Sequence, residues 1–550
     1  MSRFDHRKYS PYLPIQKTDR RWPDKVITKA PDWCSVDLRD GNQALIEPMN
    51  PEQKLKMFKL LVDVGFKEIE VGFPSASQPD FEFIRRLIED NLIPDDVTIQ
   101  ILTQAREALI AKSYEALKGV RQAIVHIYNS TSIVQREQVF CKSKEEIKHI
   151  AVQGATWVRD YAAKYPQTQW QFQYSPESFT GTELEYAVEV CDAVVEVWQP
   201  TPERPAIINL PSTVEMTTPN VFADQIEWVC ENIANRQSLV ISLHTHNDRG
   251  CGVAAAELGL MAGADRIEGT LLGNGERTGN LDIVTTAMNM YSRGVCPRLD
   301  LANIDRIIEV VETCTQLKVH PRHPYVGELV FAAFSGSHQD AINKCLSRYE
   351  EGNTWEVAYL PIDPRDVGRN YQEVIRINSQ SGKGGIAYVL ASEYGWQLPR
   401  WLQIDFSPIV QREAEVTETE LSSKTIARLF KENYLEVDSQ YVIESFNTSY
   451  HKKAVQLHML LSKTGQSYEI QAQGNGPIDA FVQALSSQLG YSITIIDYNE
   501  HTLGENENAK AIAYIQVSIN GQRFCAAGTS HDIVKASFQA LLNAITKAEV

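Results

Sequence analysis

Hydrophobic positions in this chain repeat in one unit between Trp33 and about Tyr291: a short β-like run closes on polar or Gly-rich residues, and a segment of helical length follows. The runs are Cys34–Leu38, Glu68–Gly72, Thr98–Leu102, Ala123–Ile127, Gln171–Tyr174, Ala206–Leu210, Val240–Leu243 and Arg266–Thr270. Amphipathic stretches such as Glu52–Val64, Asp80–Asp90, Lys144–Tyr161, Glu183–Val197, Val221–Ala234 and Val253–Ala262 lie between them. Eight such units in about 260 residues predict an α/β fold, a closed (β/α)8 TIM barrel. A doubly wound sheet is the structural rival, but its GxGxxG fingerprint after the first strand is absent.

Past the barrel the pattern changes. Leu301–Lys318, Asp340–Leu346 and Glu418–Phe430 read as helices, with loops at His320–Pro324 and a flexible turn over Ser379–Gly385. The end of the chain is duplicated. Three β-like runs (Tyr441–Phe446, Ala454–Leu461, Ser467–Ala472) and a helix over Ile478–Leu485 are followed by Ser492–Ile496, Ala511–Ile519, Arg523–Ala527 and a helix over Ile533–Ile545. The organisation expected is an N-terminal arm over residues 1–30, the barrel over 31–300, linker subdomains over 301–435 and an α+β module of duplicated βββα units over 436–550. Gly-rich entries to both helices of that module suit ligand binding in the seam between units, and dimerisation alone would use the same architecture.

With 550 residues, 43% hydrophobic and 22% charged, the composition is that of a globular protein of several domains. A net charge of -17 argues against nucleic acid as a partner, since phosphate binding needs clustered Lys and Arg. No apolar run approaches the roughly 20 residues of a membrane helix, and the first residues lack the apolar core of a signal peptide. The nine Cys are scattered without a CxxC pair, as expected for free thiols in a reducing cytoplasm.

Polar residues crowd the C-terminal ends of the barrel runs, which share one rim. His244-Thr245-His246 places two imidazoles on one side of an extended strand. Asp40, after the first run, offers a hard oxygen, and Asn280, after the eighth, a carbonyl oxygen. This donor set suits a divalent ion with open positions, Mg or Mn before Zn. The structural alternatives are an Asp40–Arg39 ion pair and a helix cap at Asn280. Arg39 suits an anionic group or a developing alkoxide, Glu177 could orient substrate or water, and Thr213 could bond a carboxylate. Gly273–Gly279 reads as a loop that holds Asn280 and the tail of a thioester, with Glu276 and Arg277 able to pair with each other.

Three of these segments, Leu38–Gln43, His244–Asp248 and Gly273–Asn280, resemble motifs of the barrel enzymes that condense or cleave acyl-CoA, a group including 2-isopropylmalate, homocitrate and citramalate synthases and 3-hydroxy-3-methylglutaryl-CoA lyase. Phe334–Ile342, Tyr359–Arg369 and Asn378–Gly385 resemble the linker of the 2-isopropylmalate synthase family, and the duplicated module resembles its leucine-sensing domain. The resemblance covers essentially the whole chain and is closest to the longer-chain subtype. It implies a condensation of acetyl-CoA with 2-oxoisovalerate, the first committed step of leucine biosynthesis, with homocitrate or citramalate synthesis as the alternative. It further implies metal ligation by Asp40, His244, His246 and Asn280, a ketone oxygen beside Arg39, and an oxo-acid pocket lined by Glu177 and Thr213. His338 and Tyr359 would act from the partner subunit of a homodimer, leucine would be a feedback inhibitor, and K+ a monovalent activator. The chain departs from the family at Ser212 and Glu215, where Asp and Gly are frequent, and at Ser530-His531-Asp532, where an acidic run is usual.

Overall fold

The computed structural model describes residues 8, 12, 15–369, 383–417, 421–451, 454–503 and 509–549. Two compact units result, one formed by residues 1–330 with 366–368 and the other by 331–365 with 369–550.

The first unit is a closed eight-stranded parallel barrel in sequential order. Its strands are β1 (Asp32–Ser35), β2 (Glu68–Gly72), β3 (Thr98–Gln104), β4 (Gln122–Ser130), β5 (Gln169–Glu177), β6 (Ala206–Ser212), β7 (Leu239–Thr245) and β8 (Arg266–Gly269). The helices around it are α1 (Pro51–Val64), α2 (Gln78–Glu89), α3 (Glu107–Ala116), α4 (Lys144–Ala162), α5 (Leu184–Trp198), α6 (Pro219–Asn232), α7 (Gly252–Met261) and α8 (Ile283–Tyr291), with α9 (Ile304–Thr315) following. All eight predicted runs coincide with strands, but β3 to β7 extend further toward the rim than their apolar runs do. The first run is shorter than expected: β1 ends at Ser35 and the chain winds into a π-helical turn over Asp37–Gly41. Leu38 is therefore outside the strand, and the turn swings Arg39 and Asp40 over the barrel mouth.

Local signals explain the helix boundaries. Asn50 and Ser143 close capping boxes at the starts of α1 and α4, and Gly65, left-handed at φ 110°, ends α1. The alternative reading of Asn280 as a cap does not hold: Asp282 caps α8, its carboxylate accepting from the Thr285 N–H at 2.8 Å.

In the second unit α10 (Gly336–Leu346) begins earlier than expected, so His338 lies in the first turn of the helix rather than before it. Lys383–Gly385, expected in a flexible turn, opens α11 (Lys383–Tyr394), while Ser379–Gly382 lie outside the described residues. A helix absent from the sequence reading, α12 (Arg400–Thr417), carries Pro408 in its interior, and α13 (Ser423–Phe430) is shorter than Glu418–Phe430. Residues 418–420 lie outside the described residues.

The duplicated module forms two three-stranded antiparallel sheets, β11-β10-β9 and β12-β13-β14. These strands are β9 (Tyr441–His451), β10 (Ala454–Lys463), β11 (Gln466–Gly474), β12 (Ile493–Leu503), β13 (Lys510–Ile519) and β14 (Gln522–Ser530). The helices α14 (Pro477–Leu489) and α15 (Ile533–Glu549) complete the two βββα units. One apolar core joins both units, with Phe481 and Phe538 ring centroids 4.6 Å apart. Among the described residues no helix is long and apolar enough to cross a membrane.

Close packing of α4 on the barrel rests on Gly154, where a Cβ would stand 2.7 Å from the Ala105 Cβ and 3.2 Å from its Cα. Gly154→Ala gains helix propensity but overpacks against a short side chain that cannot rotate away, and should destabilise the barrel by about 1–3 kcal/mol. Adding Ala105→Gly should recover most of that loss. Urea denaturation of the single and double variants checks this; equal midpoints for wild type and Gly154→Ala would contradict it.

Candidate metal centre and oxo-acid site

Closure of the barrel sets β8 between β1 and β7, which brings the π-helical turn after β1 beside the histidine strand. Asp40 Oδ2 stands 3.1 Å from His244 Nε2 and 3.9 Å from His246 Nε2. All three residues are buried, and one ligand atom from each lies within 4.8 Å of the others. A β-bridge pairs His246 with Asn280, so the fourth predicted residue joins the same cluster through its backbone.

The glycines of the eighth loop follow from the need to wrap Asn280. A Cβ on Gly275 would lie 2.3 Å from Asn280 Nδ2, and one on Gly279 (φ 99°) would lie 1.9 Å from the Gly273 carbonyl oxygen. Asn280 Nδ2 donates to the Asn274 carbonyl at 3.0 Å, which leaves Oδ1 as the side chain's acceptor. That oxygen is buried without a hydrogen-bond partner, as is Nδ1 of His246. A carboxylate and two imidazoles gathered within 4.8 Å, with an unpartnered buried carbonyl oxygen on the residue bridged to His246, form a donor set that a divalent cation satisfies, so the residues present fit a metal ion.

Charge ties the three residues into one network. Burial raises the carboxyl of Asp40, but Arg39 and the two imidazoles hold it well below the usual carboxylate range. Burial lowers His244, yet hydrogen bonds to Asp40 and Glu268 pull it up to about 9. His246 is pushed down to about 4 by burial and by the neighbouring His244.

Glu268, on β8, escaped the sequence reading and is central here. Its Oε2 lies 2.9 Å from His244 Nδ1, leaving Nε2 to face Asp40. Its Oε1 accepts from Gln173 Nε2 at 2.7 Å, Arg266 at 2.8 Å and Gln100 Nε2 at 3.2 Å. Arg266, fully buried, also bonds Glu68, Ser242 and Gln100. A second chain starts at Arg39, whose Nε donates to Glu70. It continues through His126 Nδ1, 3.2 Å from Glu70, and His126 Nε2, 2.7 Å from the Ser175 hydroxyl, which also accepts from Asn209 at 2.9 Å. This polar interior replaces the aliphatic layers that usually fill such a barrel. Its sequence signal was available as polar residues at spacing two inside apolar strands: Glu68 and Glu70, Gln173 and Ser175, Ser242 and His244, Arg266 and Glu268.

The remaining predicted residues divide into two groups. In the barrel unit, Arg39 also pairs with Asp40 at 3.4 Å, so the ion-pair reading of Asp40 and its place in the metal cluster hold together. Glu177 accepts from the Ser130 hydroxyl, and Thr213 Oγ1 accepts from the Ser178 N–H at 3.0 Å. The pairing of Glu276 with Arg277 does not occur: Arg277 binds Asp248 at 2.8 Å, and Glu276 accepts from Gln43 at 3.3 Å. His338 and Tyr359 belong to the second unit, where their rings stack with centroids 4.0 Å apart. Both are exposed, and Tyr359 adopts a left-handed φ of 66°, uncommon for an aromatic residue.

Comparison with known families places residues 30–311 in the HMGL-like family. Residues 328–391 match the alpha-isopropylmalate synthase post-catalytic domain-like family, and residues 420–549 the LeuA allosteric (dimerisation) domain. A 2-isopropylmalate synthase of Clostridium acetobutylicum is 53% identical over 99% of this chain and 100% of its own length. One from Rhodospirillum rubrum is 55% identical over 98% of this chain and 97% of its own. Among solved structures, the HMG-CoA lyase from Brucella melitensis is 19% identical with a TM-score of 0.41, covering 52% of this chain and 100% of its own.

Two outcomes follow from this geometry. Glu268→Gln should weaken Mn binding about 10–100-fold, because His244 loses the carboxylate that orients it; calorimetric titration of the apoprotein measures this, and unchanged affinity would remove Glu268 from that role. Asp37, which opens the π-helical turn, is pushed up to about 7 by burial despite hydrogen bonds from Ser35 and the Leu271 N–H. Its folded value lies above the unfolded one, so its contribution to stability is present at low pH and lost as pH rises through about 7. Asp37→Asn should therefore flatten the fall in unfolding free energy between pH 5 and pH 8, read from urea titrations at both.

Proposed function

We infer the chemistry of this chain from one premise: it belongs to the 2-isopropylmalate synthase family. It is an acyltransferase of leucine biosynthesis that joins acetyl-CoA to 2-oxoisovalerate and hydrolyses the thioester, yielding 2-isopropylmalate and CoA. The observation that carries the reading at the level of residues is the gathering of Asp40, His244 and His246 within 4.8 Å, with the unpartnered Oδ1 on Asn280, the residue bridged to His246, and Arg39 against Asp40.

We propose that these four residues hold the divalent ion, Mg or Mn before Zn. A divalent ion bound there supplies Lewis acidity toward the ketone and carboxylate oxygens of a 2-oxo acid. Arg39 faces the negative charge that develops on the former ketone oxygen when the carbon–carbon bond forms. Glu177 and Thr213 line the oxo-acid pocket. His338 takes the proton from the acetyl methyl group, acting with Glu177 or a water, and Tyr359 positions substrate or returns a proton. The stacking of the two rings and the strained backbone at Tyr359 support a shared task for them. Water then adds to the thioester carbonyl, the C–S bond breaks, and CoA leaves as the thiol.

The working assembly in this reading is a homodimer, in which His338 and Tyr359 serve the partner's barrel. The C-terminal module supports this through its match to a dimerisation domain, and leucine is the feedback ligand it would bind. K+ acts as a monovalent activator. The nine free cysteines suit a reducing cytoplasm.

Release of free thiol from acetyl-CoA with 2-oxoisovalerate, pyruvate and 2-oxoglutarate, each with and without chelator, tests the reaction. The expected result is the highest kcat/KM with 2-oxoisovalerate and loss of activity on metal removal; preference for either other acid would move the chain to citramalate or homocitrate synthesis. His338→Ala should lower kcat at least about 100-fold while leaving Mn affinity unchanged. The reverse pattern would make His338 a structural residue.

A further inference from the structure

The N-terminal arm is bound to the barrel by more polar contacts than covering a helix requires. Arg20 grips Asp224 of α6 through two bonds, Nε to Oδ1 at 2.7 Å and NH2 to Oδ2 at 2.8 Å. Trp22 Nε1 donates to the same carboxylate at 2.8 Å, the Arg21 N–H donates to Glu227 at 3.1 Å, and Lys17 reaches Glu231 at 2.6 Å. These contacts fix the base of the arm on one face of α6, where Asp224, Gln225 and Glu227 are buried.

Tyr12 carries the arm beyond α6. Its hydroxyl accepts from Gln225 Nε2 at 2.7 Å and donates to the Thr180 carbonyl at 2.9 Å. The amide nitrogen of Gln225 can only donate, so the single Tyr12 proton is directed at Thr180. Thr180 in turn donates through Oγ1 to the Val214 carbonyl at 2.8 Å, joining the loops after β5 and β6. The same turn contains Ser178, left-handed at φ 60°, whose N–H bonds Thr213 Oγ1 and whose carbonyl accepts from the Gly181 N–H at 2.9 Å and Thr182 Oγ1 at 3.0 Å. A non-glycine residue keeps such a backbone only where its surroundings hold it. Glu177 directly precedes Ser178, and Thr213 directly precedes Val214.

We propose that Tyr12 is a positioning residue for 2-oxo acid binding: its hydroxyl is a strut between α6 and the turn Ser178–Thr182, and through that turn it sets Glu177 and Thr213 against each other. The proposal rests on the reading that those two residues line the oxo-acid pocket. The Tyr12 hydroxyl bonds the turn and not Glu177, His338 or the metal cluster, so its effect belongs in oxo-acid affinity before turnover.

Three variants separate the strut from simple support of the fold. Tyr12→Phe keeps the ring and removes the proton. Gln225→Glu keeps the tyrosine but offers it an acceptor, drawing the proton away from Thr180. Gln225→Met removes the donor and leaves the bond to Thr180 intact. The first two should raise KM for 2-oxoisovalerate about 3–10-fold, with kcat and the KM for acetyl-CoA within about twofold of wild type, the loss of one hydrogen bond. Gln225→Met should match wild type in all three constants. Unchanged KM values in Tyr12→Phe would overturn the strut, as would a joint decline of kcat and both affinities that tracks a lowered Tm. A rise confined to acetyl-CoA would instead overturn the assignment of Glu177 and Thr213 to the oxo-acid pocket.

Discussion

An ionised carboxylate deep in a barrel is stable only if opposing charge and hydrogen bonds surround it, and Glu268 is the group on which the rest of this site depends. Burial alone would raise its carboxyl, but Arg266 and His244 hold it well below the usual range. Arg266 meets it from within the barrel, Gln100 and Gln173 from the sides, and His244 from the mouth. With Glu268 on Nδ1, the imidazole can offer only Nε2 to the space it shares with Asp40 and His246. The interior and the candidate metal centre are therefore one electrostatic structure.

The other wall of the mouth is built by backbone more than by charge. Asp37 and Ser35 pin the π-helical turn, with Asp37 accepting from the Leu271 N–H, and that turn presents Arg39 and Asp40. The eighth loop closes against it through Asn274, which donates to the Gly41 carbonyl at 2.8 Å and accepts from Asn280. The glycines at 275 and 279 allow this packing because any side chain there would displace Asn280 or the carbonyl opposite. The loops after β1 and β8 thus place Asp40 and Asn280, while β7 carries His244 and the residue just past its end is His246.

In the second unit the module formed by β9–β14 with α14 and α15 has a different logic. Neither βββα half has an apolar face that could be left exposed, and the two share a core in which Phe446, Phe481 and Phe538 interlock. Asn543 of α15 bonds the Leu435 and Ala527 carbonyls at 3.0 and 2.8 Å, which ties the helix both to its own sheet and to the segment that enters the module.

Alternating apolar runs, helical amphipathicity and capping signals depend on near neighbours in the chain, and they were enough to read eight barrel strands and the duplicated module and to single out Asp40, His244, His246 and Asn280, which the barrel brings together. Long-range closure decided the rest. The π-helical turn after β1 exists because Asp37 reaches Leu271, more than two hundred positions away, and no local pattern marks it. Glu268, Arg266, His126 and Gln173 lie inside apolar strands, and only the closed barrel turns them toward one another. Helix α12 carries a proline that disfavours a helix locally, and its buried face of Leu402, Phe406 and Val410 overrides that preference. A chain specifies its periodicity residue by residue, but which buried charges face each other depends on strands that meet only when the barrel is complete.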